Sequence, residues 1–259
     1  MDNLIELEYT DLALALALMA IAIGLSSWEK LGLENQLFFA TVRSLLQLTV
    51  VGYILEFVFA IANPWLVLAA IATMISIAAI VSRNRIGKKL KRLLPLVWGS
   101  LVVSTAITLS YVIFLIIQPD LWYEPQYLIP LAGMIIGNAM NGAAIAGERL
   151  ASTIDNSQIE IETYLSLGAK PQQAIANYRQ EAIRAGLIPT LNQMMVVGLV
   201  TLPGMFTGQV LSGIDPLNAV SYQLLILFAI AFANLIATLL VTNGVYRQFF
   251  NDRQQLISP

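Results

Sequence analysis

RNRIGKKLKR followed by LLPLVWGSLVVSTAITLSYVIFLII, residues 83–117, decides the fold. Six cations fall in the first ten residues, and the next twenty-five carry no charge. A hydrocarbon core about 30 Å thick takes about 20 apolar residues at about 1.5 Å each, so 93–117 is long enough to cross a bilayer. The basic turn must then stay on one side of it. A cluster such as Arg83–Arg92 also suits nucleic acid or anionic lipid, but orientation alone requires it, so it is assigned no substrate and no nucleic-acid partner is expected.

Working outward, the same reading finds seven apolar runs, near residues 9–27, 37–62, 64–81, 93–117, 127–146, 187–202 and 217–241. All fourteen Lys and Arg residues then fall on one side. The opposite loops hold Asp2, Glu6, Glu8, Asp11, Glu56, Asp120, Glu124 and Asp215, with Trp65, Trp122 and Tyr123 as interfacial aromatics. The positive-inside rule therefore predicts an all-α polytopic membrane protein of seven transmembrane helices, N-terminus outside and C-terminus cytoplasmic. The N-terminus lacks the basic region of a signal peptide, so the first run is expected to be a retained span.

Composition agrees: 58% of the 259 residues are hydrophobic and 12% charged, with a mean hydropathy of +0.73. That is too apolar for an ordinary soluble domain of this size. Cysteine and histidine are absent, which excludes disulfides, thiolate chemistry and imidazole ligation or catalysis. Any ion must be held by oxygen or thioether groups.

Between the fifth and sixth runs lies a cytoplasmic segment of about forty residues, 147–186, too long for a turn. Asp155 and Gln158 read as an N-cap and its capping-box partner, with Ile159, Leu165 and Leu167 as apolar contacts and Gly168 ending the helix. Pro171 then opens a second short helix with Ile175, Tyr178 and Ala182 on one face. Two surface helices, or a plain interfacial linker, fit this pattern.

Polar residues inside the spans come next. In the fifth, Met134, Asn138, Asn141, Ile145 and Glu148 recur at 4-3-4-3 spacing and share one helix face. Lipid would leave two amides and a carboxylate unsatisfied, so the stripe is expected to face helices or a water-filled path. Gly133, Gly137, Gly142 and Gly147 equally suit a close-packed face, and both readings stand. The sixth run is short, carries Pro189, and ends at Leu202-Pro203-Gly204, before a stretch to Gly213 too glycine-rich for a good helix. Interrupted spans expose backbone groups that bind substrates, which places Asn192, Gln193, Met194, Met195, Thr201, Pro203 and Met205 among candidate pathway residues. Methionine also fills gaps between helices. Arg43 in the second span either snorkels or pairs with Glu148 or an anionic substrate. Gln223, Asn234 and Thr238 lie in the seventh, the last two on one face. Gln47–Gly52 and Gln193–Gly198 have matching letters, and Asn63-Pro64 and Asp215-Pro216 open the following spans; a parallel repeat or coincidence explains them.

Two resemblances extend this reading. Glu162-Thr-Tyr-Leu-Ser-Leu-Gly168-Ala-Lys-Pro171 resembles the loop by which ABC-transporter permeases seat on their ATPase, with Glu six residues before Gly; Ile188-Pro189 lies further from the Gly than the Leu-Pro of importers. The segments Arg43–Leu48, Gly133–Asn141 and Ile188–Gln209, above all Leu-Pro-Gly-Met-Phe-Thr-Gly-Gln, resemble the FetB-type permeases. These are membrane subunits of a bacterial iron-export ABC transporter, with plant relatives linked to aluminium tolerance and, in one branch, to nucleotide-sugar transport. The resemblance implies a single permease domain over 1–259 in the cell membrane, working as a homodimer with a separate ABC ATPase. Glu162, Gly168, Ala169 and Pro171 would then form the docking segment. No GxxxxGK[ST] loop occurs, so ATP belongs to the partner and this chain binds no cofactor and is no enzyme. If the substrate is a metal ion, Asn138, Asn141, Glu148 and carbonyls near Pro203 are the expected donors. A secondary transporter using Glu148 for protons, a permease for a small anion and a membrane scaffold are the rival readings.

Overall fold

The computed structural model describes residues 9–87, 90, 92–251 and 253–257. Lys88, Lys89 and Lys91 of the basic turn, and Asp2, Glu6 and Glu8, lie outside the described residues. The chain is all-helical among the described residues: α1 (Tyr9–Trp28), α2 (Glu34–Ile61), α3 (Pro64–Ile86), α4 (Leu93–Tyr111) running into a π-turn at Val112–Ile117, α5 (Pro125–Asn156), α6 (Gln158–Ser166), α7 (Pro171–Ala174), α8 (Ala176–Val196), α9 (Gly204–Leu211) and α10 (Pro216–Arg247). Lipid offers the backbone no hydrogen bonds, so helices satisfy it internally. Six of them are long and apolar enough to cross a membrane: α1, α2, α3, α4 with its π-turn, α5 and α10.

The chain divides into two units, the first comprising α1, α2 and residues 211–213. Ser26 Oγ donates to Glu34 Oε1 at 3.1 Å across the α1–α2 turn. Both helices are largely apolar and expose large side chains such as Leu14, Leu18, Phe39, Leu48 and Tyr53. That pattern suits lipid and not water.

The second unit holds the remaining helices. Asn63 and Asp215 cap α3 and α10: the Asn63 side chain accepts from Trp65 N, and Asp215 accepts from Leu217 N and Asn218 N. A proline follows each cap, where its missing N–H costs nothing. The core is built from small and branched residues: Val67, Ile71 and Ala79 of α3, Val97 and Leu101 of α4, Ala139 and Ala143 of α5, and Ala233, Ala237 and Val241 of α10. α5 and α10 are each 32 residues long and pack together along the middle. Ser82 Oγ donates to the Met140 carbonyl at 3.1 Å, joining α3 to α5.

At one level α5, α8 and α10 cross tightly. A Cβ on Gly142 would strike the Asn234 side-chain amide, and one on Gly186 would lie 2.6 Å from the Gly142 carbonyl oxygen. Asn234 Nδ2 donates to Thr190 Oγ1 at 2.8 Å and to the Gly186 carbonyl at 3.3 Å. Glycine admits the close approach, and the amide fastens α8 to α10 there.

Several local expectations change. α5 continues through Asp155 to Asn156, so Asp155 is not an N-cap; Leu150 and Ile154, both fully buried, keep the helix apolar on one side. Ser157 takes the N-cap position of α6 without a side-chain cap. On α6 the buried residue is Ile161, while Ile159 and Leu167 are exposed. The second surface helix is one turn, α7, followed by a single helix from Ala176 to Val196. The run at 187–202 is thus the end of a longer helix plus a loop, and α8 is outside the six long apolar helices because Arg179, Glu181 and Arg184 occupy its first half. The stretch after Pro203 is helical as α9 despite its glycines, its first turn closed by Thr207 N donating to the Pro203 carbonyl at 3.0 Å. Gly52 sits inside α2, whereas Gly198 has φ +80 in the loop, so the two similar hexapeptides adopt different backbones.

Gly142→Ala is expected to cost about 1–3 kcal/mol through overpacking against Asn234. Gly137→Ala, whose Cβ meets nothing within 4 Å, should leave stability level or gain up to about 1 kcal/mol from helix propensity. Thermal unfolding in detergent checks this; equal melting temperatures would remove the crossing from the account of the fold.

Candidate functional site

The predicted α5 stripe forms one face, and that face is open. Met134, Asn138 and Ile145 are half-buried, while Asn141 and Glu148 are exposed; the buried side of α5 is the opposite one, through Ala139, Ala143 and Leu150. Asn138 satisfies its own donor by bonding Nδ2 to the Met134 carbonyl at 2.9 Å, which leaves Oδ1 free to accept. Asn141 Oδ1 accepts from Arg85 Nη1 at 3.4 Å. A guanidinium beside Asn141 works against a bare cation at that position and leaves Asn138 as the better oxygen donor of the two. The glycine stripe is distinct from the polar one: Gly142 and Gly147 press on neighbours, Gly147 against Ile86 and Val241. Packing and a polar face therefore coexist on α5.

The break after α8 makes a second feature. Val197 pairs with Thr201, and Gly198 N donates to the Thr201 carbonyl at 2.9 Å, folding a tight turn at positive φ. This turn, Pro203 and Phe206 meet Val220, Gln223, Leu224 and Leu227 of α10 around a pocket of about 140 Å³. Gln223 is only 8% exposed, and its Oε1 has no hydrogen-bond partner. Gln193, Met194 and Met205 are half-buried near the same break, with Asn192 and Met195 exposed. The Pro203 pocket contains no residue of the α5 stripe and is apolar apart from Gln223, so it is a separate feature from that stripe. Gln223 was visible in the sequence only as one amide in an apolar helix. Its burial against the broken segment is what singles it out. Among the described residues no three carboxylates cluster as a metal site. Arg43 is exposed on α2, which fits snorkelling.

The segment 162–171, expected from its resemblance to dock an ATPase, is sharply formed. Ala169 N donates to the Tyr164 carbonyl and Gly168 N to the Leu165 carbonyl, both at 3.0 Å, with Gly168 at φ +88. This double bond pattern ends a helix and needs a residue tolerant of positive φ. Gln173 Oε1 accepts from Lys170 N at 2.9 Å, and Pro171 starts the next turn. Leu167, 80% exposed, projects at the tip. Glu162, Gly168, Ala169 and Lys170 line a groove of about 580 Å³ whose other wall is residues 253–256 of the C-terminal tail. That tail is fixed by Asn251: its side-chain oxygen accepts from Arg253 N and Gln255 N, and Asn251 N donates to the Gln255 carbonyl at 3.0 Å. The tail was the part of this groove that the sequence reading missed; Asn251-x-x-Gln254 was its only turn signal. Burial, and then the nearby Glu160 carboxylate, push the Tyr178 phenol above its ordinary value of 10.0.

With the geometry in hand, a family comparison matches residues 9–250 to UPF0014, whose description is "Uncharacterised protein family". The chain belongs to the UPF0014 family. Among UPF0014 proteins it is 58% identical to the membrane protein slr1647 of Synechocystis, across 98% of each chain. It is 36% identical to the Escherichia coli "Probable iron export permease protein FetB", covering 95% of this chain and 94% of that one. The Arabidopsis thaliana "Protein ALUMINUM SENSITIVE 3" is 32% identical over 94% and 88%. No solved structure matches. The resemblance drawn from Leu202–Gln209 and Gly133–Asn141 thus holds along the whole UPF0014 fold, and the multi-pass membrane character with it.

Gln223→Leu should leave the fold as stable or raise the melting temperature slightly, because it removes a buried acceptor that has no donor. A fall of more than about 2 kcal/mol, the scale of a lost buried hydrogen bond, would show that Oε1 is in fact partnered.

Proposed function

We propose that this chain is the membrane permease subunit of an ABC transporter that exports iron or a similar metal ion. The full-length similarity to the permease named for iron export carries the reading. A groove at the Glu162–Gly168 turn supports it as the seat of a separate ATPase, since the turn presents an exposed Leu167 beside a fixed backbone. The end of α8, with the loop to Pro203, supplies a seventh crossing, which puts the N-terminus outside and the C-terminus in the cytoplasm, in keeping with the one-sided cations. The protein resides in the cell membrane as a homodimer with two ATPase chains, and ATP is bound and hydrolysed on the partners.

Chemically, the ion is substrate and not a resident cofactor. Asn138 Oδ1, Glu148 and the carbonyls at the α8–α9 break offer hard oxygen donors, while Met134, Met194 and Met205 add thioethers. Weak, separated donors suit a path that must release what it binds. ATP closure of the partner subunits would act through the α6–α7 turn, which continues directly into α8.

Reconstitution of the permease with its ATPase in liposomes tests the reading, with Fe2+, other metals and a nucleotide sugar compared. ATP-dependent movement of Fe2+ is the expected result. Movement without ATPase would make it a secondary transporter, and sugar movement alone would make it a different permease. Leu167→Asp should abolish ATPase co-purification and transport while changing stability by less than about 0.5 kcal/mol, because the side chain is exposed; undiminished co-purification would place docking elsewhere.

A further inference from the structure

We propose that the cavity between the start of α8 and the end of α10 is a binding site for a phosphate-bearing anion. It measures about 590 Å³ and is lined by Gln172, Asn177, Arg179, Gln180, Asn243 and Tyr246, together with apolar residues of α8. No carboxylate is among its walls. Arg179 is half-buried there. Its guanidinium donates Nε to Thr242 Oγ1 and Nη2 to the Leu239 carbonyl, each at 3.4 Å. Both acceptors are neutral and both contacts are at the long limit of a hydrogen bond. A guanidinium has five N–H groups in a fixed fork, so most of its donor capacity and all of its charge are left for a ligand.

The other walls also donate. Tyr246, 5% exposed, accepts from Gln172 Nε2 at 3.0 Å and keeps its own hydroxyl proton to give. The side-chain amides of Asn177, Gln180 and Asn243 bring further N–H groups. Donors from α7, α8 and α10 outnumber what one carboxylate accepts, whereas a phosphate offers three or more oxygens to them.

Two sources supply this chemistry: the headgroup of an anionic phospholipid, or soluble phosphate. Only the lipid source rests on the orientation given under the proposed function, which puts this end of α8 at the cytoplasmic boundary. Bound ligand is read without any transport assay, so failure of the transporter reading and failure of this site are separable.

The test uses the full-length permease, purified in detergent and stripped of lipid. Phosphatidylglycerol and phosphatidylcholine retention is read by native mass spectrometry, and the melting temperature is followed with added inorganic phosphate. Wild type should retain phosphatidylglycerol over phosphatidylcholine or be stabilised by phosphate. Arg179→Gln should weaken that effect about tenfold, the loss of one charge-assisted contact, and Arg184→Gln, an exposed cation outside the cavity, should not. Preference confined to phosphatidylglycerol assigns a lipid headgroup, and stabilisation by phosphate assigns a soluble ligand. If Arg179→Gln does not fold, Arg179→Lys and Asn243→Leu serve, each expected to weaken binding with the charge kept. Equal binding by wild type and these variants, or no binding of either species, overturns the proposal.

Discussion

Asn234 fastens α8 to α10 at the place where α5, α8 and α10 come closest. Its amide reaches the Thr190 hydroxyl and the Gly186 carbonyl, and its oxygen lies against Gly142. In lipid, apolar side chains gain nothing by leaving one apolar environment for another, so helix association depends on close contact and on polar groups with no other partner. Two glycines and one amide supply both. Pro189 sits three residues beyond Gly186 in the same helix, where its missing N–H loosens the ladder that Asn234 then braces from outside.

That arrangement separates two kinds of polarity on α5. The residues facing α8 and α10 are small and sealed. Those on the far side, Asn138, Asn141 and Glu148, stay open, with Asn138 paying its donor back to its own helix. An open polar face on a helix apolar enough to cross a bilayer has to be covered by protein or water.

Much of this was legible from residues alone, for identifiable reasons. Apolar runs of about twenty residues, Asn63-Pro64, Asp215-Pro216 and the stop at Gly168 are local signals, and each matches its element. The glycines of α5 and the shared face of Asn234 and Thr238 were also visible, although not which glycine would meet which residue. The misreadings arise where local chemistry yields to packing over distance. Asp155 has a cap's composition, but Leu150 and Ile154 hold the helix on past it. Charges in α8 masked a continuous helix that only tertiary contacts with α5 and α10 define. The groove at Gly168 needed the C-terminal tail, some ninety residues away in sequence, to become a groove at all.

α5 is a continuous helix of 32 residues, about 48 Å at about 1.5 Å per residue, in a core of about 30 Å. Gly142 divides it near its midpoint, leaving roughly 26 Å on one side and 21 Å on the other. A helix pivoting at such a point would act as a lever with two arms of similar length. A tilt of about 10° about the crossing would carry the Pro125 end about 4.5 Å and the α6 end about 3.7 Å in opposite directions, so movement at the α6 end would have an opposite and slightly larger counterpart at the Pro125 end.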